Sequence, residues 1–229
     1  MRQAVVVVPA GGSGARMGAR RPKQYLGLAG APLLVHTLRA LARAACVAGL
    51  VVAVPAARVA TTRRLLARHR LPRRCEIVAG GAERQESVWL GLQAAGDTEW
   101  VLVHDAVRPF ITPELVARVL AAAGATGAAT CGLPVRETVK RVGADGTAEA
   151  TLDRRGLWLV QTPQAFRRDL LWEAHDKARR DGFAGTDDAV LVERLGGRVT
   201  LVPGLPQNLK ITTREDLTMA RRWMARNGR

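Results

Sequence analysis

The chain has 229 residues, of which 48% are hydrophobic and 24% are charged, and it contains no low-complexity tract. This length and composition allow a buried core and exclude a collagen-like, mucin-like or disordered protein. Lysine and arginine (35) outnumber aspartate and glutamate (20), so the net charge of +15 indicates either an anionic partner or an arginine-rich, solvated surface.

The amino terminus and the cysteines indicate where the protein works. The apolar run at 4–8 ends at Pro9 and is too short for a signal peptide, and no later run approaches the roughly 20 residues of a membrane span. Cys46, Cys75 and Cys131 are odd in number and lack Cys-x-x-Cys spacing, which argues against a disulfide framework and a zinc site. We therefore expect a cytoplasmic protein with no membrane partner.

In chain order, short β-branched runs alternate with amphipathic stretches that are typical of helices. The predicted strands are 4–8, 50–54, 76–79, 100–104 and 198–202. The predicted helices are 32–45, one that opens at Pro113 after Thr112, 167–180, 187–195 and 214–226. This alternation indicates βαβ units. We expect an α/β fold with a Rossmann-like, doubly wound, mostly parallel sheet, formed by one domain over residues 1–229.

A different pattern interrupts this alternation in the second half of the chain. Residues 138–142 and 147–152 are two short strand-like runs on either side of the turn sequence Gly-Ala-Asp-Gly at 143–146. Two such runs joined by a glycine-containing turn are typical of a β-hairpin. The sequence therefore predicts an inserted hairpin arm at about 136–158.

A glycine-rich segment with two nearby cations follows the first predicted strand. Gly11, Gly12 and Gly14 allow backbone N–H groups to approach a polyphosphate closely, and Arg16 and Lys23 are near enough in sequence to flank the same anion. The spacing fits neither the Walker motif nor the dinucleotide-binding fingerprint. We interpret the segment as a phosphate-binding loop, the alternative being a turn that serves chain geometry alone.

Polar residues also follow the predicted strand at 100–104. Asp105 and Arg108 come just after its carboxyl end, where ligands of open α/β sheets usually bind. The alternative for Asp105 is a helix-capping aspartate. His104 is interpreted as a hydrogen-bonded histidine at the strand end and not as a catalyst.

Ordered motifs along nearly the whole chain resemble one known family. The segment Ala-Gly-Gly-Ser-Gly-Ala-Arg-Met at 10–17, followed by Pro-Lys at 22–23, is similar to the opening motif of small nucleotidyltransferases. Further blocks narrow the resemblance to the 2-C-methyl-D-erythritol 4-phosphate cytidylyltransferases of the non-mevalonate isoprenoid pathway. These blocks are 80–88, 103–109, 134–138, 153–158, 161–164, 186–188 and 208–212.

The resemblance implies a reaction. The phosphate of 2-C-methyl-D-erythritol 4-phosphate attacks the α-phosphorus of CTP in line, which yields 4-diphosphocytidyl-2-C-methyl-D-erythritol and pyrophosphate. A phosphomonoester has a second pKa near 6, so the attacking oxygen is already ionised and needs no general base. Such a step depends on cations and positioning, and the resemblance implies Mg²⁺ bound mainly with CTP.

The resemblance also implies residue roles. Arg16 and Lys23 would contact the triphosphate and stabilise the transition state, whereas Arg154 and Lys210 would position the attacking phosphate. For Lys210 the alternative is a lysine at a strand end whose stem lies on apolar surface. The implied nucleotide-binding residues are Ala10, Gly11, Gly12, Gly14, Arg16, Lys23, Gly80, Gly81, Ala82 and Ser87. The implied substrate-binding residues are Asp105, Arg108, Thr138, Arg154, Thr162, Thr186 and Lys210, with Asp105 near the metal.

Base recognition departs from the family pattern at one position. Some family members carry aspartate where this chain has Ala82, so the resemblance supports a backbone contact there and no side-chain contact. Ser87 would add a hydroxyl to base recognition; its alternative is a residue of the first helical turn.

The inserted arm would make the enzyme a homodimer. Family members interlock two subunits through this arm, so Thr138 and Arg154 would complete the site of the partner subunit.

Two other functions fit parts of the sequence. A cytidylyltransferase for another polyol phosphate, such as ribitol 5-phosphate, would share the triphosphate half of the site. A basic nucleic-acid-binding protein would fit the charge, but aromatic residues are only 4% of the chain and no binding-module pattern is present. We expect no nucleic-acid partner.

Overall fold

The computed structural model describes residues 2–12, 22–71 and 73–227. The strands are β1 (Ala4–Pro9), β2 (Gly27–Leu28), β3 (Ala31–Pro32), β4 (Val47–Val54), β5 (Cys75–Ala79), β6 (Trp100–Val103), β7 (Ala128–Pro134), β8 (Val139–Val142), β9 (Ala148–Leu152), β10 (Trp158–Arg167) and β11 (Val199–Pro203). The helices are α1 (Leu33–Ala42), α2 (Val59–His69), α3 (Arg84–Ala94), α4 (Pro113–Thr126), α5 (Arg168–Arg180), α6 (Ala189–Arg194) and α7 (Arg214–Asn227). Among the helices of the described residues, none has both the length and the apolar character that crossing a bilayer requires.

One seven-stranded sheet organises the molecule, in the order β11-β7-β10-β6-β1-β4-β5. β10 runs antiparallel to both of its neighbours, β6 and β7, whereas the other neighbouring pairs are parallel. The chain passes from β1 outward to β4 and β5 and then returns to place β6 on the other side of β1. The expected mostly parallel, doubly wound sheet is therefore confirmed, with a topological switch point between β1 and β6.

Helices cover both faces of the sheet because the central strands alternate their side chains. Val6 and Val8 of β1 face the core under α1, α2 and α4, whereas Val7 faces the core under α3, α5 and α6. The predicted apolar stripe of α1 is buried throughout. α4 begins as its sequence indicates, with Pro113 in the first turn and the Thr112 hydroxyl accepting a hydrogen bond from the Leu115 N–H at 3.3 Å.

Two strands of the sheet were not predicted from the sequence. β7 consists largely of alanine, threonine and glycine rather than of β-branched apolar residues, but its central position buries most of these small side chains. β10 contains Pro163, which has no N–H to donate, and a proline inside a run argues against a strand. The register between β10 and β7 shifts from Gln161 to Gln164, so the irregularity spans the proline and the ladder continues on both sides.

The hairpin arm forms where the sequence predicts it. β8 and β9 pair antiparallel, and the Gly146 N–H donates to the Gly143 carbonyl in the turn between them. Most of the arm is exposed. Its role in dimerisation stays a prediction.

Candidate active site

A cleft of about 440 Å³ opens at the carboxyl edge of the sheet, beside the switch point. The loops after β1 and β6 separate here, because the chain turns away from the sheet in opposite directions on the two sides of the switch point. Its lining includes Ala10, Gly11, Gly12, Lys23, Gly81, Ala82, Arg84, Ser87, Asp105 and Lys210. Sequence-predicted residues from five separate segments are thus brought together. Gly14 and Arg16 lie outside the described residues.

The glycine segment is attached both to the sheet and to the segment that carries Lys23. The Ala10 N–H donates to the Ala53 carbonyl of β4 at 2.7 Å. The buried Gln24 amide donates to the Ala10 carbonyl at 2.5 Å, which ties residues 22–25 to the end of β1. A Cβ at Gly12 would lie 3.8 Å from the Lys23 Cε, so the lysine side chain packs over this glycine. The Lys23 side chain is thereby placed on the wall of the cleft.

The turn into α3 lines the cleft beside the glycine segment, since a Cβ at Gly11 would lie 3.5 Å from the Ser87 Oγ. Gly80 approaches Ser87 so closely that a Cβ would lie 2.8 Å from the Ser87 Oγ, which explains the glycine. The Ser87 hydroxyl donates a long hydrogen bond to the Gly81 carbonyl at 3.4 Å. The Ala82 N–H donates to the Glu86 carboxylate at 2.8 Å and is therefore engaged within the protein. Ser87 lies in the first turn of α3 and also lines the cleft, so its position is compatible with a role in the helix and with a role in nucleotide binding.

Asp105 is the centre of an ion-pair cluster at the floor of the cleft. Its carboxylate lies 3.1 Å from the Arg108 Nε, 3.1 Å from the Lys210 Nζ and 3.6 Å from the Arg84 Nε. Burial raises the pKa of this carboxyl, but the charges of Lys210 and the two guanidinium groups outweigh burial and hold the pKa well below its usual range. Asp105 is therefore ionised, and it places three cations around one point.

The loop that carries Lys210 is held by hydrogen bonds to the β6 and β10 sides of the cleft. The buried Asn208 side chain donates to the Thr162 carbonyl at 2.8 Å, and the Asn208 carbonyl accepts from Arg108 Nη1 at 2.8 Å. The Ile211 N–H donates to the Val107 carbonyl at 3.0 Å. The loop on both sides of Lys210 is thus held in place, and the lysine ammonium is paired with Asp105, unlike that of a lysine on an open strand end.

His104 is satisfied within the protein, as its sequence position suggests. The Thr162 hydroxyl oxygen accepts from the Asp105 N–H at 3.0 Å and lies 3.1 Å from the His104 Nδ1. The hydroxyl therefore donates to Nδ1, and the remaining Nε2–H donates to the Arg108 carbonyl at 3.2 Å. Both ring nitrogens are used, so His104 orients Thr162 and does not act as a free base.

This buried histidine makes the stability of the fold dependent on pH. Burial lowers the pKa of His104 from 6.5 to about 4. The unfolded chain then binds the proton more tightly, so the stability from neutral His104 is complete above pH 6.5 and is lost as the pH falls toward 4. At about 1.4 kcal/mol per pKa unit, we expect the free energy of unfolding to fall by about 3 kcal/mol between about pH 7 and about pH 4.

Urea unfolding at about pH 7 and about pH 4 measures this loss, with the His104→Gln variant as the control because glutamine does not titrate. The free energy of unfolding should depend less on pH in the variant. An identical pH dependence in the two proteins would show that His104 is not the source of the loss of stability at low pH.

A second depression of about 230 Å³ adjoins the first. Thr162 and Thr186, two predicted substrate contacts, line it together with Arg108. Arg84, Asp105 and Lys210 line both depressions, so the two share one wall of charged groups.

Two predicted residues lie elsewhere. Thr138 and Arg154 are exposed on the arm, and neither is among the residues that line the two depressions. The Arg154 guanidinium donates to the Arg136 carbonyl at the base of the arm. Within one subunit these side chains do not join the other predicted residues.

The described residues offer little for a metal ion beyond Asp105. No group of three or more histidine, cysteine, aspartate or glutamate side chains within them is arranged to hold one. The Asp105 Oδ1 has the Arg84 Nε as its neighbour at 3.6 Å, which exceeds normal hydrogen-bond distance and leaves this oxygen able to act as a ligand. The donor set therefore fits Mg²⁺ only if a nucleotide and water supply most of the ligands.

Three residues of the site were missed by residue-level reasoning. Arg84 lines both depressions, Gln24 ties Lys23 to the sheet and Asn208 holds the Lys210 loop. Each of them lies beside or within a motif block quoted above, and that position is the signal that could have found them.

A mostly parallel sheet with a glycine-walled, cation-lined cleft at its switch point defines a nucleotide-binding enzyme of the Rossmann-like class. A family model described as 2-C-methyl-D-erythritol 4-phosphate cytidylyltransferase matches residues 4–226. The chain belongs to this family and is a nucleotidyltransferase, so the resemblance inferred from the motifs is confirmed.

Individual relatives agree over their full length. The 2-C-methyl-D-erythritol 4-phosphate cytidylyltransferase of Pelotomaculum thermopropionicum is 49% identical over 233 residues, which cover 100% of this chain and 98% of the relative. The protein of the same name from Syntrophus aciditrophicus is 47% identical, covering 94% of this chain and 93% of the relative. The crystal structure of this enzyme from Thermus thermophilus superposes with a TM-score of 0.81 at 38% identity, covering 98% of this chain and 100% of that one.

Proposed function

We propose that this protein transfers a cytidylyl group from CTP to 2-C-methyl-D-erythritol 4-phosphate and releases pyrophosphate. The observation that carries the proposal is the shared wall of the two depressions. Arg84, Asp105 and Lys210 face both, so a nucleotide in one and a phosphorylated acceptor in the other would meet at the same cations. The family match and the full-length relatives support the same activity.

The proposal gives particular residues a role. The larger depression would take CTP, with Gly11 and Gly12 presenting backbone to the triphosphate and the Lys23 ammonium offsetting its charge. The smaller depression would take the acceptor, whose phosphate would approach Lys210. Because that phosphate is ionised near neutral pH, the protein supplies position and charge, and the hydrogen-bonded His104 has no proton to remove.

A divalent cation, which we propose to be Mg²⁺, would be held by Asp105 together with CTP oxygens and water. It would offset the repulsion between the phosphate groups.

The arm supports a homodimer with shared sites. Val142, Leu157 and Leu159 are 55%, 38% and 61% exposed, an apolar content that favours contact with another protein surface. A partner subunit's arm would bring a second copy of Thr138 and Arg154 toward the acceptor depression, where this subunit's own arm does not place them. We also propose that the enzyme works in the cytoplasm.

Purified protein incubated with CTP, Mg²⁺ and 2-C-methyl-D-erythritol 4-phosphate is expected to release pyrophosphate, measured by a coupled assay. Ribitol 5-phosphate in place of the acceptor should release much less, because the family match and the implied acceptor contacts at Thr162 and Thr186 favour 2-C-methyl-D-erythritol 4-phosphate. Reactions that lack an acceptor provide the background. Faster pyrophosphate release with ribitol 5-phosphate would show that the acceptor is another polyol phosphate. No release with either acceptor would refute the proposed function.

A further inference from the structure

A buried ion-pair chain runs from the core beneath α5 to the floor of the cleft. The His175 Nε2 donates to the Asp188 Oδ1 at 3.1 Å, and the Asp188 Oδ2 lies 2.8 Å from the Arg84 Nη2. The Arg84 Nε in turn lies 3.6 Å from the Asp105 Oδ1. The single guanidinium of Arg84 therefore bridges a carboxylate in the core and a carboxylate in the cleft.

The inner end of this chain is too deeply buried to touch a substrate. Asp188 and His175 are both 0% exposed, and neither lines the two depressions, whereas the Arg84 side chain is 29% exposed. Asp188 is also held by its backbone, since its N–H donates to the Gln164 side chain at 3.1 Å. The core thus presents a rigid carboxylate to which the guanidinium is attached.

A buried carboxylate of this kind is hard to explain by its contribution to stability alone. Removing a carboxylate from water costs several kcal/mol, and an apolar replacement of the whole pair is often neutral or stabilising. The planar guanidinium can span two carboxylates and still present further N–H groups. The pairs of Arg84 with Asp105 and Asp188 use Nε and Nη2, so neither pair occupies the Nη1 hydrogens.

We infer that Arg84 contacts phosphate oxygens where the two depressions join, and that Asp188, supported by His175, is the positioning residue that holds its guanidinium there. This inference deepens the proposed function, on which it rests, by adding a cation that belongs to both depressions. Lys210 reaches the same junction from the opposite side of Asp105, so the two cations would hold one phosphate between them.

Kinetics of folded variants test the inference. Arg84→Gln is expected to raise the KM for the phosphorylated acceptor and to lower kcat/KM by about 10- to 100-fold, the loss typical of a hydrogen bond to a charged group. Asp188→Asn is expected to cause a smaller loss of the same kind. Arg180→Gln is the matched control, because it breaks an arginine–aspartate pair of 3.1 Å on the exposed face of α5 and should leave both parameters unchanged.

The double variant Arg84→Gln, Asp188→Asn separates positioning from stability. If Asp188 acts through Arg84, the double variant should lose no more than Arg84→Gln alone. It also removes both charges together, so it stays usable should the single Arg84 variant fail to fold around an uncompensated carboxylate. A purely structural role would lower the active fraction, and hence kcat, without changing KM.

Two kinetic results would overturn the inference. One is a KM for the acceptor within about twofold of wild type in folded Arg84→Gln or, failing that variant, in the double variant. The other is a double variant whose losses multiply. Binding of inorganic phosphate, measured by calorimetry, tests the inference without turnover. Weaker phosphate binding by the Arg84 variant supports the inference, and equal binding overturns it. This test also applies if the wild-type protein releases no pyrophosphate, a result that would refute the proposed function but not the inference.

Discussion

Replacing Lys23 by alanine is expected to lower turnover by ~10² to 10³, the usual effect of losing one preorganised donor to developing charge. The lysine lies on the cleft wall and packs over Gly12, and the segment that carries it is tied to the end of β1 by Gln24. The other lysine that lines the cleft, Lys210, is paired with Asp105, so we expect it not to replace the Lys23 ammonium beside the glycine segment. Steady-state assays of pyrophosphate release measure the loss.

Two further variants sharpen this test. Lys177→Ala removes a lysine whose ammonium pairs with Asp181 on the far side of α5, and it should leave turnover unchanged. Lys23→Arg should restore little, because a planar fork does not occupy the space of a compact ammonium. Near wild-type turnover in folded Lys23→Ala would refute the assignment of the triphosphate to this wall.

A hybrid dimer of two impaired variants is expected to recover about half of the wild-type turnover per dimer, because one of its two sites is intact. The variants are Lys23→Ala, which damages the cleft, and Arg154→Ala, which damages the arm and alone should cost at least about tenfold. If each arm serves the partner's cleft, the cleft of the Arg154→Ala chain receives an intact arm from the other chain. Co-expression with two affinity tags isolates the hybrid for assay.

A dimer of wild-type and Lys23→Ala chains is the control, since it retains one working site whichever chain the arm serves. An inactive variant hybrid beside an active control would show that the arm completes its own subunit's site. Sedimentation of the wild-type protein adds an independent check, because an active monomer would refute the shared site.

The fold was predictable wherever side-chain type and burial agree. The β-branched runs at 4–8, 50–54 and 100–104 became β1, β4 and β6, because strands in the middle of a parallel sheet are buried on both faces and need apolar residues throughout. The run at 76–79 became β5, a strand at the edge of the sheet that buries only Ile77 fully. β7 and β10 were missed. Small residues in β7 and a proline in β10 contradict local strand preference, and neighbouring strands on both sides overrule that preference.

The sequence by itself determined the family, the parallel sheet and most residues that line the cleft, because the motif residues lie at strand ends and such ends meet at one edge of a parallel sheet. The tertiary structure alone decided which charges touch. Asp105, Lys210 and Arg84 come from segments far apart in the chain, and the pairing of Arg84 with Asp188, which His175 contacts, depends on how α3, α5 and α6 pack on the same face. Sequence patterns report which face of an element is buried, whereas the pairing of two charges depends on distances of a few ångströms that only packing sets.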